Sequence, residues 1–321
     1  MPPAYDLLVI GDANPDVIVG PLAEPLAFGQ REQLADSGTL TLGGSAAIMA
    51  CGAARLGLTV AFAGRVGDDD AGRYVRDELT AHGVDTRALT LDPARPTPLT
   101  VVLTRGEDRA ILTSPGTLTA TSGRDVPHDL LTRSRHVHAA SFFLQPRLAE
   151  DLPGLFATAR AHGATTSLDT QDDPSGAWDP AALHTVLAGT DILLPNAREA
   201  RHLAGPGGDT PELAATILAA RVPLVVVKNG ADGALCHDGR GLSTTPALTL
   251  TPLDTVDTVG AGDSFDAGFV AATLHGHPAH RALTFAAVCG ALSTRAHGGT
   301  RAQPTWDEAL AHTTLSGAPT S

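Results

Sequence analysis

The sequence predicts a doubly wound α/β fold: a mostly parallel sheet flanked by helices, with a small β-sheet beside it. Three observations carry this. Short unbroken apolar runs alternate with segments of helical periodicity from Tyr5 to Lys228. Runs of that kind suit strands buried on both faces, as in a parallel sheet covered by helices. Two stretches, 15–42 and 97–113, break the alternation with short β-like runs and no helix.

The first run, Tyr5-Asp-Leu-Leu-Val-Ile10, reads as a strand that ends in Gly11-Asp12-Ala13-Asn14. Further strand-like runs fall at 59–64, 136–140, 164–168, 191–194 and 223–228. Helix-like segments separate most of them, at 44–57, 70–82, 148–162, 179–188, 196–204 and 210–220. Asp68-Asp69-Asp70 opens the second of these and reads as an acidic helix cap rather than a metal site. The C-terminal third changes character, with two consecutive alanine-rich helices expected at 263–276 and 279–297. Thr97–Thr104, a polar turn Arg105–Asp108 and Arg109–Thr113 form a predicted hairpin. With 15–42 it supplies four short strands. They read either as an edge extension of the main sheet or as a lid over a site, since ligands of such folds bind beyond the carboxyl ends of the strands. Residues 1–315 are thus expected to form one α/β domain carrying the lid segments 15–42 and 97–113, with a disordered tail at 316–321.

Composition narrows the function classes. Of 321 residues, 43% are apolar and 18% charged, so a core can form and disorder is disfavoured. Lys+Arg number 22 against 35 Asp+Glu, a net charge of −13, which argues against nucleic-acid and membrane-surface partners. Lys228 is the only lysine. Cys51, Cys236 and Cys289 lie far apart with no Cys-x-x-Cys spacing, so they read as small buried apolar residues of a reducing compartment. The N-terminus lacks the pattern of a signal peptide, and no apolar run is long enough to span a bilayer. A soluble cytoplasmic protein is expected.

The strongest local pattern is Asp257-Thr-Val-Gly260-Ala261-Gly262-Asp263-Ser-Phe-Asp-Ala-Gly268. A glycine-rich turn runs straight into a helix, whose first N–H groups lack partners and carry partial positive charge, so the turn can hold an anion. Gly260 and Gly262 let the backbone approach it closely, with Asp263 alongside. The same spacing also reads as a tight turn with Asp263 as N-cap. The pattern is not a dinucleotide fingerprint, because Phe265 stands where the last glycine would fall, and no Walker A sequence occurs.

Asp257–Phe265 resembles the C-terminal signature of the PfkB/ribokinase family of carbohydrate kinases. Four more motifs follow the family's order. Gly43-Gly44-Ser45-Ala46-Ala47, with Ala53-Ala54-Arg55-Leu56-Gly57, is similar to the N-terminal signature. Gly64-Arg-Val-Gly67-Asp68 through Gly72, Asn196-Ala-Arg-Glu199, and Lys228-Asn-Gly230 through Gly233 resemble the remaining three. The resemblance spans nearly the whole chain and implies a ribokinase-like fold that moves the γ-phosphoryl of ATP to a sugar or nucleoside hydroxyl.

It further implies roles. Asp263 would be the general base, and Gly260, Ala261 and Gly262 the hole for the transferring phosphoryl. Asn196, Lys228, Gly230 and Gly233 would bind ATP. Asn196 and Glu199 would organise Mg²⁺ through water, although their spacing also fits a capping box. Asp257 and the Val259 carbonyl match a monovalent-cation position, so K⁺ dependence is implied as an option. Asn14 and Asp16 would grip acceptor hydroxyls, with Gly43 and Gly44 letting the sugar lie on the backbone; an Asx turn is the plainer reading. Asp169, in Asp169-Thr-Gln171, would lie near the phosphates or else in a solvated acidic loop. The lid implies a homodimer.

One departure bears on the acceptor. Ile48 stands where the family's asparagine contacts the sugar, which favours a nucleoside, a deoxy-sugar or another less polar acceptor. Phe142, Phe143 and Gln145 are candidate pocket walls or core residues. A sugar-phosphate acceptor would need cations, for which Arg31, Arg105 and Arg109 are available in the lid segments. A binding module on a dead kinase fold is disfavoured because Gly260, Gly262 and Asp263 are all intact. A Rossmann oxidoreductase is disfavoured because no glycine fingerprint follows the first strand.

Overall fold

A computed structural model describes residues 3–106, 108–250 and 255–315. The chain opens with β1 (Tyr5–Ile10), then leaves the main sheet for β2 (Asn14–Gly20) and β3 (Ser37–Gly43). It returns through α1 (Ser45–Arg55), β4 (Val60–Gly67), α2 (Asp70–Ala81) and β5 (Asp85–Asp92). The hairpin β6 (Leu99–Arg105) and β7 (Asp108–Ser114) follows. Alternation resumes with α3 (His128–Thr132), β8 (Ser134–Ala140), α4 (Pro146–Ala161), β9 (Thr165–Asp169), α5 (Pro180–Leu187) and β10 (Ile192–Leu193). Next come α6 (Ala197–Ala204), α7 (Pro211–Leu218), β11 (Leu224–Lys228) and the hairpin β12 (Ala234–His237) and β13 (Leu242–Thr245). The chain closes with α8 (Ala261–Leu274), α9 (Ala279–Ser293) and α10 (Trp306–Leu315).

Nine strands form the main sheet in the order β13-β12-β11-β10-β9-β8-β1-β4-β5. It is parallel from β11 to β5 and antiparallel only at the β12–β13 end. Side chains of β1 alternate between its faces, as the pleat requires. Leu7 and Val9 enter one core with Phe62, Phe269 and Leu283; Leu8 and Ile10 enter the other with Phe156, Leu168 and Val225. All three cysteines are buried thiols. No helix among the described residues is long and apolar enough to cross a membrane.

The four strands of 15–42 and 97–113 make a separate sheet, β3-β2-β6-β7, so the edge-extension reading is corrected. Its centre is a parallel pairing of β2 with β6, from Asp16↔Thr100 to Val19↔Leu103. Several boundaries are also corrected. β5, α3, the β12–β13 hairpin and α10 were not anticipated. The helix expected over 279–297 stops at Ser293, where the Thr294 N–H turns back to Ala291 and begins a tight turn. The helix expected from 263 starts at Ala261, behind an N-cap Gly260 with φ of 76°. Asp263 is therefore not the cap but lies in the first turn. Asp69 caps α2 by accepting from the Gly72 N–H at 2.8 Å, as the acidic-cap reading requires. The tail expected at 316–321 lies outside the described residues.

Candidate active site

Strand order reverses at β1: β4 and β5 lie on one side, and β8 to β11 on the other. Sites in open α/β sheets form at such a point, beyond the carboxyl ends of the strands. Here the ends of β1, β9 and β11 deliver Asp12, Asp169 and Lys228, while the N-termini of α1 and α8 deliver Ser45 and Asp263. A cleft of about 810 Å³ opens at Lys228 and Asp263, lined also by Gln171, Asn196, Gly230, Gly233, Gly260–Gly262 and Arg109.

The turn into α8 is built to receive an anion. The Ser264 N–H makes a helical bond to the Gly260 carbonyl at 2.9 Å, so Gly262 and Asp263 present their N–H groups ahead of it. A Cβ on Gly260 would stand 2.5 Å from the Gly299 Cα, which explains glycine at this left-handed position. Ile48 is buried against the same two glycines, so it packs beneath the turn.

Asp263 is buried and accepts a 2.5 Å hydrogen bond from Ser45 Oγ. Burial, reinforced by Asp169 and Asp12, pushes its carboxyl up to about 7, against the lowering by Ser45 and Lys228. Asp169, Asp263 and Asp266 bring carboxylate oxygens within 4.8 Å of one another. Lys228 Nζ donates to Asp169 Oδ2 at 2.7 Å and to Asp266 Oδ2 at 2.9 Å. The ammonium thus supplies at this cluster the positive charge that a metal ion would otherwise bring. Burial alone would depress Lys228, but Asp169, Asp266 and Glu199 outweigh it and hold the ammonium above its ordinary value. Burial, with Asp169 beside it, drives Asp266 well above the usual carboxylate range. Burial also opposes ionisation of Asp169, but Lys228 outweighs it and holds that carboxyl low. Asp169 is fully buried, which corrects the acidic-loop reading.

Asn196 and Glu199 form the capping box of α6: Asn196 Oδ1 accepts from the Glu199 N–H at 2.9 Å, and Glu199 Oε2 from the Asn196 N–H at 2.9 Å. Asn196 Nδ2 also donates to Glu199 Oε1. Burial raises the Glu199 carboxyl to about 7, with Asp169 adding to it. Asp257 accepts from the Val259 and Gly298 N–H groups, both at 3.0 Å, and so ties the anion turn to the chain after α9.

Asn14 and Asp16 sit where β1 passes into the small sheet. Asn14 Nδ2 donates to Asp16 Oδ1 at 2.7 Å and to Thr100 Oγ1 at 3.2 Å, which joins β2 to β6. Burial raises Asp16 to about 7. A Cβ on Gly43 would fall 2.1 Å from the Asp16 carboxylate, and one on Gly44, at φ of 89°, 2.8 Å from the Ala13 Cα. Of the lid arginines, Arg109 reaches the cleft, whereas Arg31 pairs with Glu24 on the exposed surface. Phe142 and Phe143 line a different cleft beside α4 and α5, and Gln145 bonds the Ala140 and Ser141 carbonyls. Sequence reasoning passed over Asp12, Ser45 and Asp266 as site residues. Asp266 was findable, because it stands three residues after Asp263 on a helix and so shares its face.

A family model described as pfkB family carbohydrate kinase matches residues 5–306. The ATP-dependent ribose-1-phosphate kinase of Halopiger xanaduensis is 33% identical over 270 residues, covering 84% of this chain and 85% of its own. The 2-dehydro-3-deoxygalactonokinase of Haloferax volcanii is 29% identical over 293 residues, covering 84% and 87%. An E. coli protein assigned as a ribokinase II, solved in complex with ATP and Mg²⁺, superposes with a TM-score of 0.84 at 25% identity, covering 97% of this chain and 99% of its own.

Proposed function

The chain belongs to the pfkB family of carbohydrate kinases and transfers phosphate to a hydroxyl, and on that premise we propose that Asp263 is its general base. One observation carries the proposal: a buried carboxylate stands in the first turn of α8, directly after the glycine turn that presents free N–H groups to the cleft. As the acceptor oxygen bonds to the γ-phosphorus, its proton passes to Asp263 and the bond from phosphorus to the departing ADP oxygen breaks. A base with a pKa near 7 suits this work at neutral pH. The turn Gly260–Ala261–Gly262 holds the phosphoryl, where positioning and charge neutralisation dominate; the Ala261 N–H is spent on the Thr258 carbonyl at 3.3 Å, and those of Gly262 and Asp263 are left to face the anion. ATP lies along Asn196, Lys228, Gly230 and Gly233.

Both Glu199 oxygens accept bonds from Asn196, so the pair fits a hydrated Mg²⁺ held through water rather than by direct ligation. When bound, Mg²⁺ neutralises phosphate charge. Asp257 and the Val259 carbonyl form the monovalent-cation position, suited to K⁺.

The acceptor lies against Asn14, Asp16, Gly43 and Gly44 under the lid, whose closure excludes water. It is a sugar or nucleoside; Ile48 packs beneath the turn and does not decide between them, and similarity to a 2-dehydro-3-deoxygalactonokinase favours a deoxy-sugar. Arg109 at the cleft and similarity to a ribose-1-phosphate kinase favour a phosphorylated sugar as the second reading. Two copies pair through the lid.

The test is ADP release from Mg²⁺-ATP with K⁺ across sugars, nucleosides and sugar phosphates, with Asp263→Asn as the blank. Asp263→Asn is expected to lower turnover by about 10² or more with ATP binding nearly intact. Near-wild-type turnover removes the base assignment. Silence across the panel with ATP still bound supports a binding module instead.

A further inference from the structure

We infer that Ser45 and Gln171 are positioning residues that reserve Oδ2 of Asp263 for the acceptor's proton. The inference deepens the base assignment above and rests on it.

Gln171 follows β9 by two residues and holds φ of 56°, a left-handed conformation uncommon for glutamine. In that conformation its backbone N–H donates to Asp169 Oδ1 at 3.1 Å. Its side-chain Nε2 lies 2.8 Å from Asp169 Oδ2, 2.9 Å from Ser45 Oγ and 3.4 Å from Asp263 Oδ1. These neighbours fix the amide's orientation. Turned over, Oε1 would face two carboxylates, one of them buried and paired with Lys228. The donor nitrogen must therefore face them.

A direction follows for each proton. Gln171 donates to Ser45, so Ser45 Oγ is an acceptor there. Its single proton is then directed to Asp263 Oδ1, 2.5 Å away. The two amide protons of Gln171 go to Asp169 Oδ2 and Ser45 Oγ, so Oδ1 of Asp263 is committed to accepting from Ser45, with Gln171 Nε2 3.4 Å away. Oδ2 has no hydrogen-bond partner among the described residues and is the oxygen left to take a proton.

The charged groups facing Asp263 are Asp12 after β1, Asp169 at the end of β9, Lys228 at the end of β11 and Asp266 on α8. Asp12 is bonded to the Ser45 and Ala46 N–H groups, and Asp169 and Asp266 are held by Lys228. Ser45 is thus the neutral donor that favours the ionised form of Asp263, and Gln171 is the group that directs the Ser45 proton to it. Their removal makes it hold its proton more tightly.

The test titrates Asp263 itself. The full chain is labelled with ¹³C at the aspartate carboxyls, and Asp263→Asn identifies the resonance. Ser45→Ala and Gln171→Leu are expected to raise the titration midpoint by about one pH unit. Ser45→Thr, which keeps the hydroxyl, is expected to restore it. In parallel, Ser45→Ala should lower kcat by about tenfold or more with the best acceptor of the panel, leaving the KM for Mg²⁺-ATP unchanged. Midpoints that match the wild type in both variants overturn the inference. If Ser45→Ala does not fold, Gln171→Leu decides alone. An active Asp263→Asn would defeat the base assignment instead, and the midpoints would still report whether the two donors act on this carboxyl.

Discussion

Lys228 is the only lysine in a chain whose other cationic side chains are arginines, and its ammonium lies between the buried carboxylates of Asp169 and Asp266. A buried charge persists only when paired. The ammonium is compact, with three rotatable donors, whereas a guanidinium is a wide rigid fork that would drive two carboxylates this close apart. Lys228→Met would leave both carboxylates without their cation. Unfolding in urea is expected to show a loss of about 3–5 kcal/mol, the scale for removing one partner of a buried pair. Asp266→Asn keeps the shape and should cost less. Equal losses would mean that the lysine's stem, not its charge, holds the site. Lys228 was legible because it opens a recognisable strand-and-turn motif. Its partnership with Asp266 was not, since it joins residues 38 apart through β11 and α8. Ile48 shows the same limit. The missing asparagine was visible in the sequence, but not that the isoleucine packs under Gly260 and Gly299 rather than standing open to the cleft.

Adjacent strands β8 and β9 pack a polar ladder inside the sheet. His136 contacts Thr165 Oγ1 at 2.6 Å and Ser167 Oγ at 2.7 Å, and His138 contacts the same Ser167 Oγ at 2.7 Å. Burial pushes His136 down to about 3 and His138 down to about 4. A histidine depressed in the fold takes up a proton on unfolding. Its contribution to stability is therefore intact above its unfolded pKa near 6.5 and is lost as pH falls from there towards the folded value. His136→Gln removes one such site. The stability gap between wild type and variant should narrow by about 2 kcal/mol between pH 7.5 and pH 5, measured by urea unfolding at each pH. A constant gap would show that His136 titrates alike in the folded and unfolded chains, and a widening gap that it is charged in the fold. The strands that escaped sequence reasoning share a cause at this scale. β5 is an edge strand with a half-exposed, charge-interrupted pattern, and β12 and β13 span four residues each. Neither gives the long apolar run by which the buried central strands announce themselves.

Across the whole molecule, the small sheet presents two unlike faces. One carries Asp16, Ile18, Thr100 and Val102, all buried towards the site. The other carries the cross-strand row Leu40–Val17–Val101–Leu112, whose end members are 49% and 56% exposed. That these segments were strands could be read locally. That they form their own sheet could not, because it depends on β2 pairing with β6 more than 80 residues away (Asp16↔Thr100). An apolar row on a sheet whose outer strands, β3 and β7, pair with no further strand among the described residues suits the pairing of two copies proposed above. Pairing with a second copy would cover it symmetrically, since a two-fold interface presents the same patch from each side. Light scattering at micromolar concentration is therefore expected to give twice the 32.8 kDa chain mass. Val101→Glu places a charge in the middle of the row and should yield monomers. The main sheet does not depend on this face, so ATP binding should persist while the acceptor KM rises as the lid loses its support. A wild-type mass of one chain would leave the row without a partner copy and would assign closure to the lid of a single molecule.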